Sequence, residues 1–288
     1  MTPLKKRAIG LEFDDNLIYL VELSKGKDDF VIKRTSKFKE ITGLNKYLEE
    51  MSSGRVSIIP PKIVLGISGL KTIIRKLVIP KTNTRELDRI IRWEAESLLP
   101  LPLEEFNFDY QILDDEGENE VLLVAVRKEE VEPYIELFTQ LKIPIKMLTV
   151  QPFGLINYIK HFKLITKNYN GIIVRWGHSS IDFILLLEGK GEFYRTVPCP
   201  SNPFDNISFT TFQRELKTTL NHIHSQYNLQ IKSGIFFGKR DILTSIRKNM
   251  PYFHWRYLNI KPLKEESYVG NLEEFTCCIG LALTGVHL

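Results

Sequence analysis

The stretch Asn83-Thr84-Arg85-Glu86-Leu87-Asp88-Arg89-Ile90-Ile91-Arg92-Trp93-Glu94-Ala95-Glu96-Ser97-Leu98-Leu99-Pro100-Leu101-Pro102-Leu103-Glu104-Glu105 decides how the first half of the chain is read. Asn83 suits a helix N-cap, because its side-chain oxygen can accept one of the amides that the first turn leaves unpaired, and Glu86 stands three residues later as in a capping box. Leu87, Ile90, Ile91, Ala95 and Leu98 then recur at helical spacing and give one apolar face. Pro100 and Pro102 stop the helix, since proline lacks the amide that would continue it. Downstream, Asn107–Leu113 reads as a strand, Asp114–Asn119 as an acidic turn, Val121–Val126 as a second strand and Glu129–Leu141 as a helix. The module runs helix, strand, strand, helix over about residues 82–146, ahead of Gln151-Pro152-Phe153, and reads as a subdomain inserted into a larger unit.

Working outward, Leu44–Met51 reads as an amphipathic helix, and Ile63–Ile67 and Thr72–Ile79 as strands around the Ser68-Gly69 turn. Compared with itself at an offset of 163 residues, the chain repeats its opening pattern of strand, polar turn, strand, glycine turn, strand. Ile9-Gly10-Leu11-Glu12-Phe13 lies over Ile172-Ile173-Val174-Arg175-Trp176, Leu23 over Leu186, Gly26 over Gly189 and Phe30 over Phe193. Two lobes are therefore expected, 1–168 carrying the insertion and 169–288 with a reduced outer subdomain. A crossover helix at about 153–165 leads into the second lobe, where Thr210–Asn228 reads as a helix.

The 288 residues, 43% hydrophobic and 26% charged, have the balance of a globular chain large enough for two cores. The longest apolar runs, such as Phe183–Leu187, are far short of the roughly 18 residues that a membrane-crossing helix needs. Lys5-Lys6-Arg7-Ala8-Ile9 opens like a leader peptide, but Glu12, Asp14 and Asp15 interrupt it, so a cytoplasmic chain is expected. Cys199, Cys277 and Cys278 are odd in number and lack metal-type spacing, which points to reduced core thiols. The net charge of +4 is spread among mixed acids and bases, so no nucleic-acid partner is expected.

The chain resembles the PilM-like proteins of type IV pilus and type II secretion machines, which share the actin-like fold. The resemblance rests on Ile9-Gly10-Leu11-Glu12 with Val21-Glu22-Leu23, on Arg92-Trp93-Glu94-Ala95-Glu96 running to Glu105 with Asp109-Tyr110, on Val121-Leu122-Leu123-Val124-Ala125, on Val150-Gln151-Pro152-Phe153 and on Ile279-Gly280-Leu281-Ala282-Leu283. It spans nearly the whole chain and fades between about Cys199 and Tyr268. It implies an α/β, ribonuclease H-like two-lobed fold. It also implies a cytoplasmic adaptor that binds the short N-terminal segment of a single-pass inner-membrane partner, PilN-like, in a groove between the first lobe and the insertion. Arg92, Trp93, Leu98, Leu99 and Leu101 are the candidate lining residues. Membrane association then comes through partners, and self-association stays open.

Actin-like ATPases hold phosphates on two glycine-rich hairpin turns, each preceded by an acid that organises magnesium; glycine lets backbone approach an anion and a carboxylate there repels it. In the first hairpin these positions hold Glu12, Asp14, Asp15, Asn16 and Tyr19. In the second, the expected acid is Arg175, its neighbour is Trp176, and only Gly177, Ser179 and Ser180 keep the usual character. The turn that would face adenosine is Gly234-Ile235-Phe236-Phe237-Gly238-Lys239, with bulky residues between its glycines. Because phosphoryl transfer depends on positioning and charge compensation, the resemblance implies loss of hydrolysis, with no cofactor expected and residual binding of ATP and magnesium as the lesser reading. The alternative is a working ATPase in which Glu12 serves for the missing acid and Arg175 meets phosphate; a sugar or acetate kinase of the same superfamily is disfavoured by the degraded turns. His222 and His224 point to different faces of a helix and form no ligand set. Tyr252–Tyr257 alternates as a strand does.

Overall fold

The computed structural model describes residues 6–15, 17–26, 29–52, 61–114, 118–199, 206–258, 264–265 and 272–288. Asn16 and the centre of the acidic turn, 115–117, lie outside the described residues. The first lobe opens with an antiparallel meander, β1 (Arg7–Asp14), β2 (Leu17–Lys25) and β3 (Phe30–Phe38), followed by α1 (Ile41–Ser52) and β4 (Lys62–Ile67). Then come β5 (Thr72–Ile79), α2 (Thr84–Leu98), β6 (Phe106–Asp114), β7 (Asn119–Arg127), α3 (Lys128–Gln140), β8 (Ile145–Val150) and α4 (Gln151–His161). The second lobe contains β9 (Gly171–Trp176), β10 (Ser180–Leu187), β11 (Lys190–Pro198), α5 (Asn206–Tyr227), β12 (Ser233–Phe237), α6 (Arg240–Asn249) and β13 (His254–Tyr257). A two-residue strand, β14 (Lys264–Glu265), and α7 (Thr276–His287) return to the first lobe.

The first sheet has the order β14-β3-β2-β1-β4-β8 and the second β11-β10-β9-β12-β13. Without β14 the two orders correspond strand for strand: an antiparallel meander whose first strand pairs with a parallel strand, which pairs with another. The 163-residue offset is thus a repeat of topology, and the chain has the two-lobed α/β arrangement expected of it.

The insertion is partitioned differently from its reading in sequence. Its three-stranded sheet has the order β5-β7-β6, so Thr72–Ile79, outside the 82–146 read from sequence as the insertion, belongs with it. α2 packs Leu87, Ile91, Ala95 and Leu99 on the face of that sheet carrying Val121, Leu123 and Ala125. α3 packs Leu137 and Phe138 with Leu11, Leu20, Leu44 and Leu65, in the core of the first lobe. The helix that closes the module in chain order therefore sits mainly on the lobe, and meets the insertion through Val131 against Val126 of β7.

Between the lobes, α4 and α7 cross in contact, and α7 lies on β1, β2 and β4. A Cβ on Gly280 would stand 1.7 Å from the Gly154 carbonyl oxygen, so this crossing depends on glycine. The largest core cluster runs through both lobes, joining Val21 and Leu23 to Leu155, Tyr158, Ile173, Ile235 and Leu283. Among the described residues, no helix is long and apolar enough to cross a membrane.

Candidate functional site

The repeat brings its own equivalent positions face to face at the junction of the lobes. Glu12 on β1 stands opposite Tyr19 on β2, and Arg175 on β9 stands opposite Asp182 on β10. The guanidinium of Arg175 donates through Nη2 to Glu12 Oε1 and through Nη1 to Asp182 Oδ2 at 3.1 Å. Thr196 Oγ1 donates to the other oxygen of Asp182 at 2.7 Å, and the Cys278 thiol lies 3.6 Å from Glu12 Oε2. Glu12 and Asp182 are fully buried and Arg175 is 5% exposed. Burial pushes Glu12 up to about 7 against the pull of Arg175, and burial raises Asp182 as well. One guanidinium thus serves two buried carboxylates, where desolvation of any unpaired charge would be costly.

Two residues on, Asp14 meets the turn of the second hairpin. Its Oδ2 accepts from the His178 N–H at 3.0 Å, and its Oδ1 accepts from the Ser179 N–H at 3.2 Å and from the Ser179 hydroxyl. Beside this contact lies a cavity of about 200 Å³, lined among others by Tyr19, Arg175, Gly177, His178, Gly238, Lys239 and Glu274. Tyr19 is buried edge-on against Phe275 with ring centroids 5.6 Å apart, and burial raises its phenol; Lys37, paired with Glu274, stands 5.3 Å above its ring. Gly238 follows β12 at φ +142°, a conformation that suits glycine.

Glu12, Asp14, Tyr19, Arg175, Gly177, Ser179 and Gly238 come together at the junction of the lobes. Gly234–Phe237, read as a turn facing adenosine, is instead the buried strand β12, parallel to β9. Asp182 was missed, although the offset that places Arg175 over Glu12 also places it over Tyr19. The residues do not fit a nucleoside triphosphate with magnesium. The turn amides are taken by Asp14, Glu12 is paired with Arg175, and the cavity is smaller than the roughly 300–1,000 Å³ of usual ligand sites. Arg175, bound on both sides by carboxylates, is not placed to receive a phosphate.

A larger and more apolar cleft, of about 660 Å³, separates the insertion from the first lobe. Leu113 of β6, Leu122, Val124 and Val126 of β7, Met147, Leu148 and Val150 of β8, and Phe153 and Ile156 of α4 line it, together with polar residues that include Asn157, Lys160 and Lys190. β6 and β8 are both edge strands of their sheets. The five lining residues named from the sequence lie elsewhere. α2 covers the face of the insertion that carries Leu123 and Ala125, whereas the cleft uses the alternate residues Leu122, Val124 and Val126 on the other face. Leu99 is in the core beneath α2; Trp93, Leu98 and Leu101 are exposed on the outside at 66%, 40% and 40%; Arg92 pairs with Asp88 and lies 5.2 Å from the Phe108 ring. Helical periodicity identified an apolar stretch, but strand alternation decides which side faces the cleft.

Elsewhere, His222 packs on Phe193, and Trp255 of β13 is buried between the exposed His254 and Arg256. Cys277 and Cys278 are buried and Cys199 is half-buried, all unbridged. Among the described residues no group of three or more His, Cys, Asp or Glu is placed to hold a metal ion.

No curated protein sequence matches the chain. Among solved structures, a PilM-PilN type IV pilus biogenesis complex superposes with a TM-score of 0.77 at 19% identity, over 97% of this chain and 98% of that one. The cytoplasmic domain of EpsL, an inner-membrane component of the type II secretion system of Vibrio cholerae, gives 0.58 at 10% identity, over 98% and 95%. A protein of unknown function with an actin-like ATPase fold from Bacteroides thetaiotaomicron gives 0.54 at 11% identity, over 94% and 95%. These likenesses are of fold. The sequence pattern of type IV pilus assembly protein PilM matches residues 10–175, more than half of the chain and the part that holds the Glu12–Arg175 pair and most of the residues lining the apolar cleft, and the chain belongs to that family.

Proposed function

We propose that this chain is a non-hydrolysing scaffold of a type IV pilus or related secretion machine, and that it docks an extended apolar segment of a PilN-like membrane partner between β6 and β8. The observation that carries this reading is the pair of facing edge strands across an apolar cleft of about 660 Å³. Each edge offers unpaired amides and carbonyls to an added strand, while Leu113, Val124 and Met147 offer surface for its side chains. On this reading the chain works at the cytoplasmic face of the inner membrane, held there by its partner. No nucleotide is required on this reading; Asp14 on the turn amides and Glu12 paired with Arg175 support it.

The test is binding of a synthetic peptide matching the cytoplasmic tail of the membrane protein that copurifies with the chain. Val124→Asp and Met147→Asp, each placing a charge in the cleft, are expected to weaken binding on the order of tenfold or more. Trp93→Ala, on the exposed face of α2, and Leu101→Ala, in the exposed segment that follows it, are expected to leave it unchanged. Equal losses from both pairs, or a partner held as well without its tail, would remove the cleft from consideration. Micromolar binding of ATP with magnesium, abolished by Glu12→Ala, would replace the scaffold reading with that of a working ATPase.

A further inference from the structure

We propose that Asp14 is a built-in anionic ligand of the second hairpin's turn, latching the two lobes together in the place that a small oxyanion would otherwise fill. The proposal stands independently of what occupies the apolar cleft. Two backbone amides and one hydroxyl, from His178 and Ser179, converge on the two carboxylate oxygens of a residue more than 160 positions away. Successive amides aimed at one point form an anion-binding concavity, and hydrogen bonds to an ionised oxygen are the strong ones.

Each half of this contact needs the other. Asp14 is fully buried, and the site's guanidinium is already shared between Glu12 and Asp182, so the turn is what meets its charge. Conversely, the amides of 178 and 179 lie in a turn whose backbone bond, Gly177 N–H to Ser180 O at 2.8 Å, leaves them to find an acceptor elsewhere. Space is matched as well, since a Cβ on Gly177 would come within 3.2 Å of Asp14 Oδ2. The lobes are thereby held in register by a covalent part of the chain, and their arrangement does not wait for a ligand. Removing the carboxylate uncovers donors for a free oxyanion, beside a cavity of about 200 Å³ that gives it a way in.

The experiment is chemical rescue of Asp14→Ala, read by melting temperature in sodium chloride, sodium formate and sodium phosphate at equal ionic strength. The variant is expected to melt lower than the parent by roughly 5–10 °C in chloride. Formate, the deleted group in free form, and phosphate are each expected to restore at least about half of that loss while moving the parent by less than about 2 °C. Rescue by formate alone assigns a site fitted to carboxylate, and rescue by both a general oxyanion site. A variant that melts with the parent, or anions that raise both proteins equally, would overturn the proposal. If Asp14→Ala does not fold, the parent decides. Amide exchange at His178 and Ser179 is expected to be slowed on the order of a hundredfold or more relative to a free chain, and exchange at the rate of an exposed turn would overturn it.

Discussion

Arg175 stands where three buried carboxylates, Glu12, Asp14 and Asp182, meet, and one positive charge cannot balance three negative ones. Asp14 finds amides, Asp182 finds Thr196 as well as Arg175, and Glu12 is left with Arg175 and a thiol. Burial accordingly holds Glu12 at about 7, above its ordinary 4.5. Between those two values the folded chain keeps a proton that the unfolded chain has released, so stability falls as pH rises through this window and levels off above it. Urea unfolding at pH 5.5 and pH 8 is expected to show the parent losing on the order of 1–3 kcal/mol at the higher pH. Glu12→Gln keeps an acceptor for Arg175 and has no proton to lose, so the fall between pH 5.5 and pH 8 is expected to disappear in this variant. A parent that instead grew more stable from pH 5.5 to pH 8 would contradict this assignment. The candidate site was legible as far as local pattern goes: the 163-residue offset shows that Glu12 and Arg175 are equivalent positions. It cannot show that equivalents touch, because that depends on how two lobes pack across a long sequence separation. Asp182 was harder still, lying at the head of the apolar run Phe183–Leu187, where an acid reads as a solvent-facing strand residue.

At the scale of elements, what local chemistry dictates was readable and what packing dictates was not. Asn83 accepts from the Glu86 N–H at 3.1 Å, as the cap required, and α2 ends at Leu98 before Pro100. The allegiance of β5 and α3 could not be read, since periodicity defines the faces of an element without naming what each face covers. The crossing of α4 and α7 is a sharper case. A crossover helix at about 153–165 was expected and Ile279–Leu283 carried the resemblance, yet the separation of α4 and α7 is set by Gly280 lying against the Gly154 carbonyl. Alanine is ordinarily favoured over glycine within a helix by about 1 kcal/mol. Here the added methyl would stand 1.7 Å from a backbone oxygen and must push the helices apart. Gly280→Ala is therefore expected to lower the melting temperature by roughly 5 °C or more, the cost of overpacking outweighing the gain in propensity. A variant that melted at or above the parent would mean that the crossing yields more readily than this geometry allows.

For the whole molecule, two lobes of like topology raise the question of whether they are two folding units. The core argues against it: the largest cluster draws Val21 and Leu23 from the first lobe, Ile173, Ile184 and Ile235 from the second, and Leu155, Tyr158, Cys278 and Leu283 from the helices between them. Away from that cluster, Lys76 of β5 pairs with Glu120 of β7 at 2.9 Å and with Glu192 of β11 at 2.6 Å, tying the insertion to the second lobe. Opening the lobes would strip water-excluded surface from both at once, which is the condition for a single cooperative transition. The tryptophans make this measurable. Trp93 is 66% exposed on α2, whereas Trp176 and Trp255 are buried in the second lobe, so fluorescence of Trp93→Phe reports the second lobe while far-ultraviolet circular dichroism reports every helix. In urea the two signals are expected to share one midpoint, within about 0.2 M. If fluorescence moved at a clearly different urea concentration from dichroism, the lobes would unfold separately, and the shared core and the Lys76 bridge would have to be judged too weak to join them.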